Sequence, residues 1–195
     1  IVSAPKRPDQ LICVSGESGI TSLNPLTGQQ NWTTEAFPLR TVASPVTGQG
    51  LIIASCGQGG RYGVLQRAVD LDGKTVWTRE RHLPYVVTPI LFEGHLYEWN
   101  DKGILNCVDL KTGKDVWVQR IGGNYSGSPI CIDGKIYGVS EKGDVVVVAA
   151  SPTFKLLGRV SLGDPSHSTP SVANGRLYFR TFHRLICLEA RPDAG

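Results

Sequence analysis

The chain has 195 residues, 41% of them hydrophobic and 19% charged, with 23 glycines and 12 prolines spread along its whole length, the make-up of a turn-rich β protein with a real core. A net charge of +3, with no run of Lys and Arg longer than Lys6-Arg7, argues against a nucleic-acid partner. The longest apolar run, Val145 to Ala150, has the length of a buried strand and falls far short of the roughly 18 residues that cross a bilayer, so no transmembrane segment is expected.

Along the chain, short β-branched or aromatic runs are cut by glycine-containing turns, and the pattern divides into five blocks at about residues 11–37, 41–80, 86–120, 127–163 and 168–190. The first block has three runs, between Leu11 and Thr34. In the third, the pattern predicts strand A over Val87 to Phe92, a tight turn at Glu93-Gly94, strand B over His95 to Trp99, strand C over Ile104 to Asp109, and strand D over Lys114 to Gln119. The fourth block repeats this with Pro129 to Ile132, Lys135 to Val139, Val145 to Ala149 and Lys155 to Arg159, and the fifth supplies A, B and C only.

Three markers keep one order and one period. Trp32, Trp77 and Trp117 each follow a glycine by four residues: Gly28, Gly73 and Gly113. Ser44-Pro45, Thr88-Pro89, Ser128-Pro129 and Thr169-Pro170 are spaced by 44, 40 and 41 residues, and a Gly-x-Leu/Ile-Tyr phrase recurs at Gly94, Gly134 and Gly175, with a weaker cousin at Gly50. A period near 40 residues with four short strands is the signature of a β-propeller blade. This predicts an all-β single domain over 1–195 with about three complete and two partial four-stranded antiparallel blades. The corner glycine suits a left-handed backbone position, and proline, which cannot donate to a ladder, suits the start of an inner strand at Pro45, Pro89, Pro129 and Pro170. The tryptophans are expected to wedge between blades from the outermost strand; in the fourth block Leu157 and Thr153 stand in for the tryptophan and glycine, which predicts a looser blade.

The phrases DLKTGKDVW, LDGKTVW and PLTGQQNW, with the Ser/Thr-Pro and Gly-x-Leu-Tyr markers, resemble the repeat of the pyrroloquinoline-quinone-like (PQQ-like) β-propellers from about Leu11 to Ala190. Members of that family include quinoprotein dehydrogenases, the lipoprotein scaffold of bacterial outer-membrane assembly and propellers attached to signalling proteins. The resemblance implies a ring of seven or eight blades, hence a C-terminal part of a longer propeller, with the remaining blades or a second copy closing the ring. It also implies that the segments from strand D to the next strand A gather on one face. There Arg40, Arg81, Tyr85, Tyr125 and His167 are expected to line a recognition surface for a protein or peptide, since tyrosine and arginine combine apolar area with hydrogen bonding.

Catalytic chemistry has little support. Five cysteines show no CxxC pair, no vicinal pair and no histidine at zinc spacing, so no metal site is expected, and they read mostly as small core residues. Asp70, Asp101, Asp109, Asp133 and Asp144 fall at turns, where aspartate bonds to local backbone. His82, His95, His167 and His183 are scattered, and Ser166-His167-Ser168 lacks the glycines of a nucleophile elbow. The glycine-rich segment Gln58 to Gly63 precedes a strand instead of opening a helix, so it reads as a loop with Arg61 and Tyr62 exposed. The expectation is a non-catalytic binding or assembly scaffold with no cofactor, periplasmic or secreted in a bacterium, with a cytoplasmic location left open. The alternatives are part of a quinone-dependent dehydrogenase, which would bring PQQ and calcium, and the sensor portion of a larger signalling protein.

Overall fold

The computed structural model describes residues 1–57 and 64–189, so the expectations for Arg61 and Tyr62 and the last residue of the fifth block lie outside the described residues. The described residues form strands and no helix: β1 (Leu11–Ser15), β2 (Gly19–Leu23) and β3 (Gln30–Thr33); β4 (Val46–Gly48), β5 (Leu51–Cys56), β6 (Leu65–Asp70) and β7 (Thr75–Arg79); β8 (Ile90–Phe92), β9 (His95–Trp99), β10 (Ile104–Asp109) and β11 (Asp115–Arg120); β12 (Ile130–Ile132), β13 (Lys135–Val139), β14 (Asp144–Ala149) and β15 (Leu156–Ser161); β16 (Ser171–Ala173), β17 (Arg176–Arg180) and β18 (Leu185–Glu189). Each group is one antiparallel meander, giving five blades of three, four, four, four and three strands. In blade 1, Val2 also pairs with Gln10, at the place where Phe92 pairs with His95 in blade 3, so the inner-strand position is occupied by this one residue pair.

The inner strands are shorter than the sequence predicts. In blade 3 the ladder begins at Ile90, because the Thr88 N–H is taken by the Ser128 hydroxyl at 3.0 Å and Pro89 has no N–H to give. The hydroxyl residue before each proline thus has a function that its spacing alone does not reveal. Ser44 N–H donates to Thr88 Oγ1 at 3.1 Å, Thr88 N–H to Ser128 Oγ, and Ser128 N–H to Thr169 Oγ1 at 2.9 Å, a relay from blade to blade along the inner strands. Between the first and second strands, Gln49-Gly50, Glu93-Gly94, Asp133-Gly134 and Asn174-Gly175 all have positive φ at both positions, the geometry of a two-residue hairpin turn that matches strand twist.

At the other corner the outermost strand carries a bulge. Cys107 pairs with Trp117 but Val108 with Asp115, and the same slip occurs at Ala68/Val69 and Ser22/Leu23. In blade 4, Val147 pairs with Gly158 and Val148 with Leu156. Gly158, not Leu157, therefore occupies the tryptophan position, and Leu157 is the bulged residue, 41% exposed like Val116 in blade 3.

Each tryptophan crosses to the next blade. Trp32 Nε1 donates to the Leu71 carbonyl at 3.1 Å, Trp77 Nε1 to Leu110 at 2.9 Å, and Trp117 Nε1 to Ser151 at 3.1 Å. The rings lie against the next corner glycine: a Cβ on Gly73 would sit 2.6 Å from the Trp32 ring, and one on Gly113 2.7 Å from Trp77. Blade 4 has no such glycine, and Phe154 meets Trp117 edge-on at 5.3 Å instead. Gly28 has no atom within 4 Å of its Cβ position, so the corner of blade 1 presents an uncovered seat. Four apolar clusters fill the joints between successive blades, for example Ile53, Ala68 and Trp77 of blade 2 against Leu96, Val108 and Leu110 of blade 3. Burial of these facing side chains supplies the main favourable term, about 1.5–3 kcal/mol for each large one fully covered.

Candidate binding face

Antiparallel meanders put the turns between second and third strands at the same end as the linkers between blades, and hydrogen bonds tie the two together. The Asp101 carboxylate, in the β9–β10 turn, accepts the N–H groups of Tyr85 at 3.2 Å and Val86 at 3.1 Å on the incoming linker. This corrects the expectation of a purely local turn aspartate: its acceptors are spent on a segment fifteen and sixteen residues away. Asp164, on the linker into blade 5, accepts the His183 N–H and contacts His183 Nδ1, both at 2.9 Å. Hydrogen bonding from the Thr181 side chain, and next from His183, holds its carboxyl down at about 2.

Of the residues expected on the recognition face, Arg40 and Tyr85 come together. The Arg40 guanidinium lies 5.9 Å from the Tyr85 ring centre, within cation–π reach. Both line an open groove of about 1120 Å³ with Val14, Phe37 and Leu39. Tyr85 is also a wall of a second cavity of about 610 Å³, which contains Arg81 and His82. His167 is exposed on the linker into blade 5, edge-on to Phe182 at 5.2 Å, and lines a separate cavity of about 510 Å³ with Asn124, Glu141 and Lys142. Tyr125 does not join them: it is 2% exposed and packs on Trp99 with ring centres 4.8 Å apart, inside the joint between blades 3 and 4. Burial pushes its phenol up to about 12. Gly138 leaves the room that this aromatic pair needs, since a Cβ there would lie 2.5 Å from the Trp99 ring.

The sequence does not single out two cationic residues of this face, Lys102 and Arg120. They line the Tyr85 cavity from the β9–β10 turn and the end of β11. The signal was present in the strand order, which brings turn and strand end to the linker side, but neither residue lies on a linker.

Glu98 is fully buried between blades 2 and 3, where it accepts hydrogen bonds from Arg79, Gln66 and Asn106. Burial pushes its carboxyl up, against the opposing pull of the Arg79 guanidinium and the Gln66 amide. Among the described residues no three His, Cys, Asp or Glu side chains converge to hold a metal ion. The Glu98 carboxylate is engaged by Arg79, Gln66 and Asn106, and that of Asp101 by the backbone N–H groups of Tyr85 and Val86. Among the described residues no helix is long and apolar enough to cross a membrane.

A family model described as outer membrane protein assembly factor BamB matches residues 61–153. Among solved structures, the computationally designed Ika8 protein superposes with a TM-score of 0.69 at 10% identity over 88% of this chain and 52% of that one. BamB from Moraxella catarrhalis gives 0.50 at 17% identity, covering 92% and 66%. The quinohemoprotein alcohol dehydrogenase ADHIIG from Pseudomonas putida HK5 gives 0.56 at 16% identity, covering 70% and 28%. The chain thus spans about half, two-thirds and a quarter of the lengths of these three structures, and the likeness is one of fold. No curated protein matches the chain in sequence.

Proposed function

We propose that this chain, a PQQ-like β-propeller repeat protein, is a non-catalytic scaffold that binds a protein or peptide partner on its linker face, in the periplasm or another extracytoplasmic space. The observation that carries this reading is the pair of cavities sharing Tyr85. One is an apolar groove floored by Val14, Phe37 and Leu39 with Arg40 at its edge; the other has a basic rim. A half-buried tyrosine flanked by arginines, held by backbone hydrogen bonds to Asp101, is a rigid and partly apolar surface suited to a hot spot. The match of residues 61–153 to a family model described as an outer membrane protein assembly factor supports a role in protein assembly.

Site-specific photo-crosslinking in a bacterial host tests this. A crosslinker at Arg40 or His167 is expected to trap a partner, while one at Lys135, beside the hairpin turn at the opposite end, traps none. Equal trapping from both ends, or from neither, overturns the assignment. A large rise in melting temperature with micromolar PQQ and calcium would favour the dehydrogenase reading instead.

A further inference from the structure

The second cavity carries a more specific assignment, which rests on the scaffold reading. Its floor is apolar: Leu83 is 5% exposed, and Ile104 and Tyr85 are half-buried. Its rim is cationic, with the exposed side chains of Arg81, Lys102 and Arg120 entering from three different elements, the blade 2–3 linker, the β9–β10 turn and the end of β11. Among the described residues two acidic side chains share the cavity. Asp101 is committed to the backbone of Tyr85 and Val86, which leaves Glu80 as the one acid set against three cations. Among the described residues none of these three cations has a carboxylate within ion-pair distance, whereas nearby Arg79 is held by Glu98 and Asp115.

The support beneath the rim is well defined. Asn100 Oδ1 accepts the Lys102 N–H at 2.6 Å, its carbonyl accepts the Gly103 N–H at 2.9 Å, and its amide donates to the Leu83 carbonyl at 3.4 Å, so turn and linker are fastened to each other. Ile104 and Arg120 are directly paired across β10 and β11, which sets the guanidinium beside the apolar floor.

We propose that this cavity is the subsite for an acidic segment of the protein partner, one in which carboxylates alternate with apolar side chains. The carboxylates meet Arg81, Lys102 and Arg120, and an apolar side chain enters between Leu83, Ile104 and Tyr85. Charge complementarity of this kind steers encounter and selects partner more than it adds raw affinity, so salt weakens it.

The test is fluorescence anisotropy with a fluorescein-labelled octapeptide alternating glutamate and leucine, titrated with the 195-residue chain at low ionic strength. Binding is expected, with a loss of about tenfold or more when Arg81→Glu, Lys102→Glu and Arg120→Glu are combined, and a similar loss when glutamine replaces every glutamate in the peptide. Lys135→Glu, an exposed charge reversal beside the hairpin turn at the opposite end of the blades, is expected to leave this binding within about twofold. Should the triple variant unfold, Lys102→Gln with Arg120→Gln replaces it, with a loss of several-fold expected. No binding of the acidic octapeptide, equal binding of the glutamine peptide, or unchanged affinity in a folded variant overturns the proposal. If crosslinking from Arg40 and His167 persists in the folded triple variant, the acidic subsite fails while the scaffold stands. If the octapeptide binds as expected and neither crosslinker traps a partner, the scaffold reading fails and the subsite stands.

Discussion

A glycine at the corner before the outermost strand meets two separate demands. Gly28, Gly73 and Gly113 have φ of 72°, 81° and 69°, and the latter two also lie under the tryptophan of the preceding blade. The demands can be pulled apart by mutation. Gly28→Ala should cost only the left-handed conformational penalty, about 1–2 kcal/mol. Gly113→Ala should add about 1–3 kcal/mol of overpacking, because the ring it meets is itself enclosed. The partner side gives the matching result: Trp77, 8% exposed, should lose about 3–5 kcal/mol on substitution by alanine, and half-buried Trp117 distinctly less. Chemical denaturation midpoints of the four variants check the order, and equal losses for Gly28→Ala and Gly113→Ala would refute the role given to the ring.

Between blades, individual elements are joined by charge as well as by apolar contact. Arg79 at the end of β7 reaches Glu98 of β9 and Asp115 of β11, bridging blades 2 and 3. Removing the cation strands a fully buried carboxylate, so Arg79→Met should destabilise by about 3–5 kcal/mol, measured by urea unfolding. A second joint responds to acid. The Asp164 carboxyl is held below its ordinary value of 3.8, at about 2, so its contribution is present above pH ~4 and is lost as pH falls toward ~2. In Asp164→Asn that part of the acid dependence disappears. The melting temperature should therefore fall less steeply between about pH 4 and pH 2 in the variant than in the native chain; parallel curves would show that Asp164 does not anchor the blade 5 turn.

Across the whole molecule, burial is uneven in a way that follows the stack. Central blades are covered on both sheet faces, while blades 1 and 5 each turn one face outward, where Leu185 is 71% and Leu11 37% exposed. The position of Cys187 in blade 5, paired with Tyr178, is that of Cys107 in blade 3, paired with Tyr97. Cys107 is fully buried and its thiol is pushed up to about 11 by burial, whereas Cys187 and Cys13 are exposed. Titration with a thiol reagent should therefore show rapid reaction at Cys13 and Cys187, each abolished by its serine variant, with Cys107 reacting only on unfolding. Rapid reaction of Cys107 in the folded chain would mean that the joint between blades 3 and 4 is open.

Local chemistry alone determined the strands, the turns and the period: two-residue turns need positive φ, proline interrupts a ladder, and β-branched runs of five or six residues between glycines have no other stable use. The expectation that Arg40 and Tyr85 share one face came from the family resemblance, and the structure brings the two side chains together at the linker end of the meanders. What needed the tertiary structure is everything that joins one blade to the next. The bulge that shifts Leu157 out of the tryptophan position, the hydroxyl relay through Thr88 and Ser128, the burial of Tyr125 and the convergence of Lys102 with Arg120 all depend on contacts between residues tens of positions apart. A repeat period records that blades stack; the packing of one face on another decides which side chains are consumed in the joint and which remain to meet a partner.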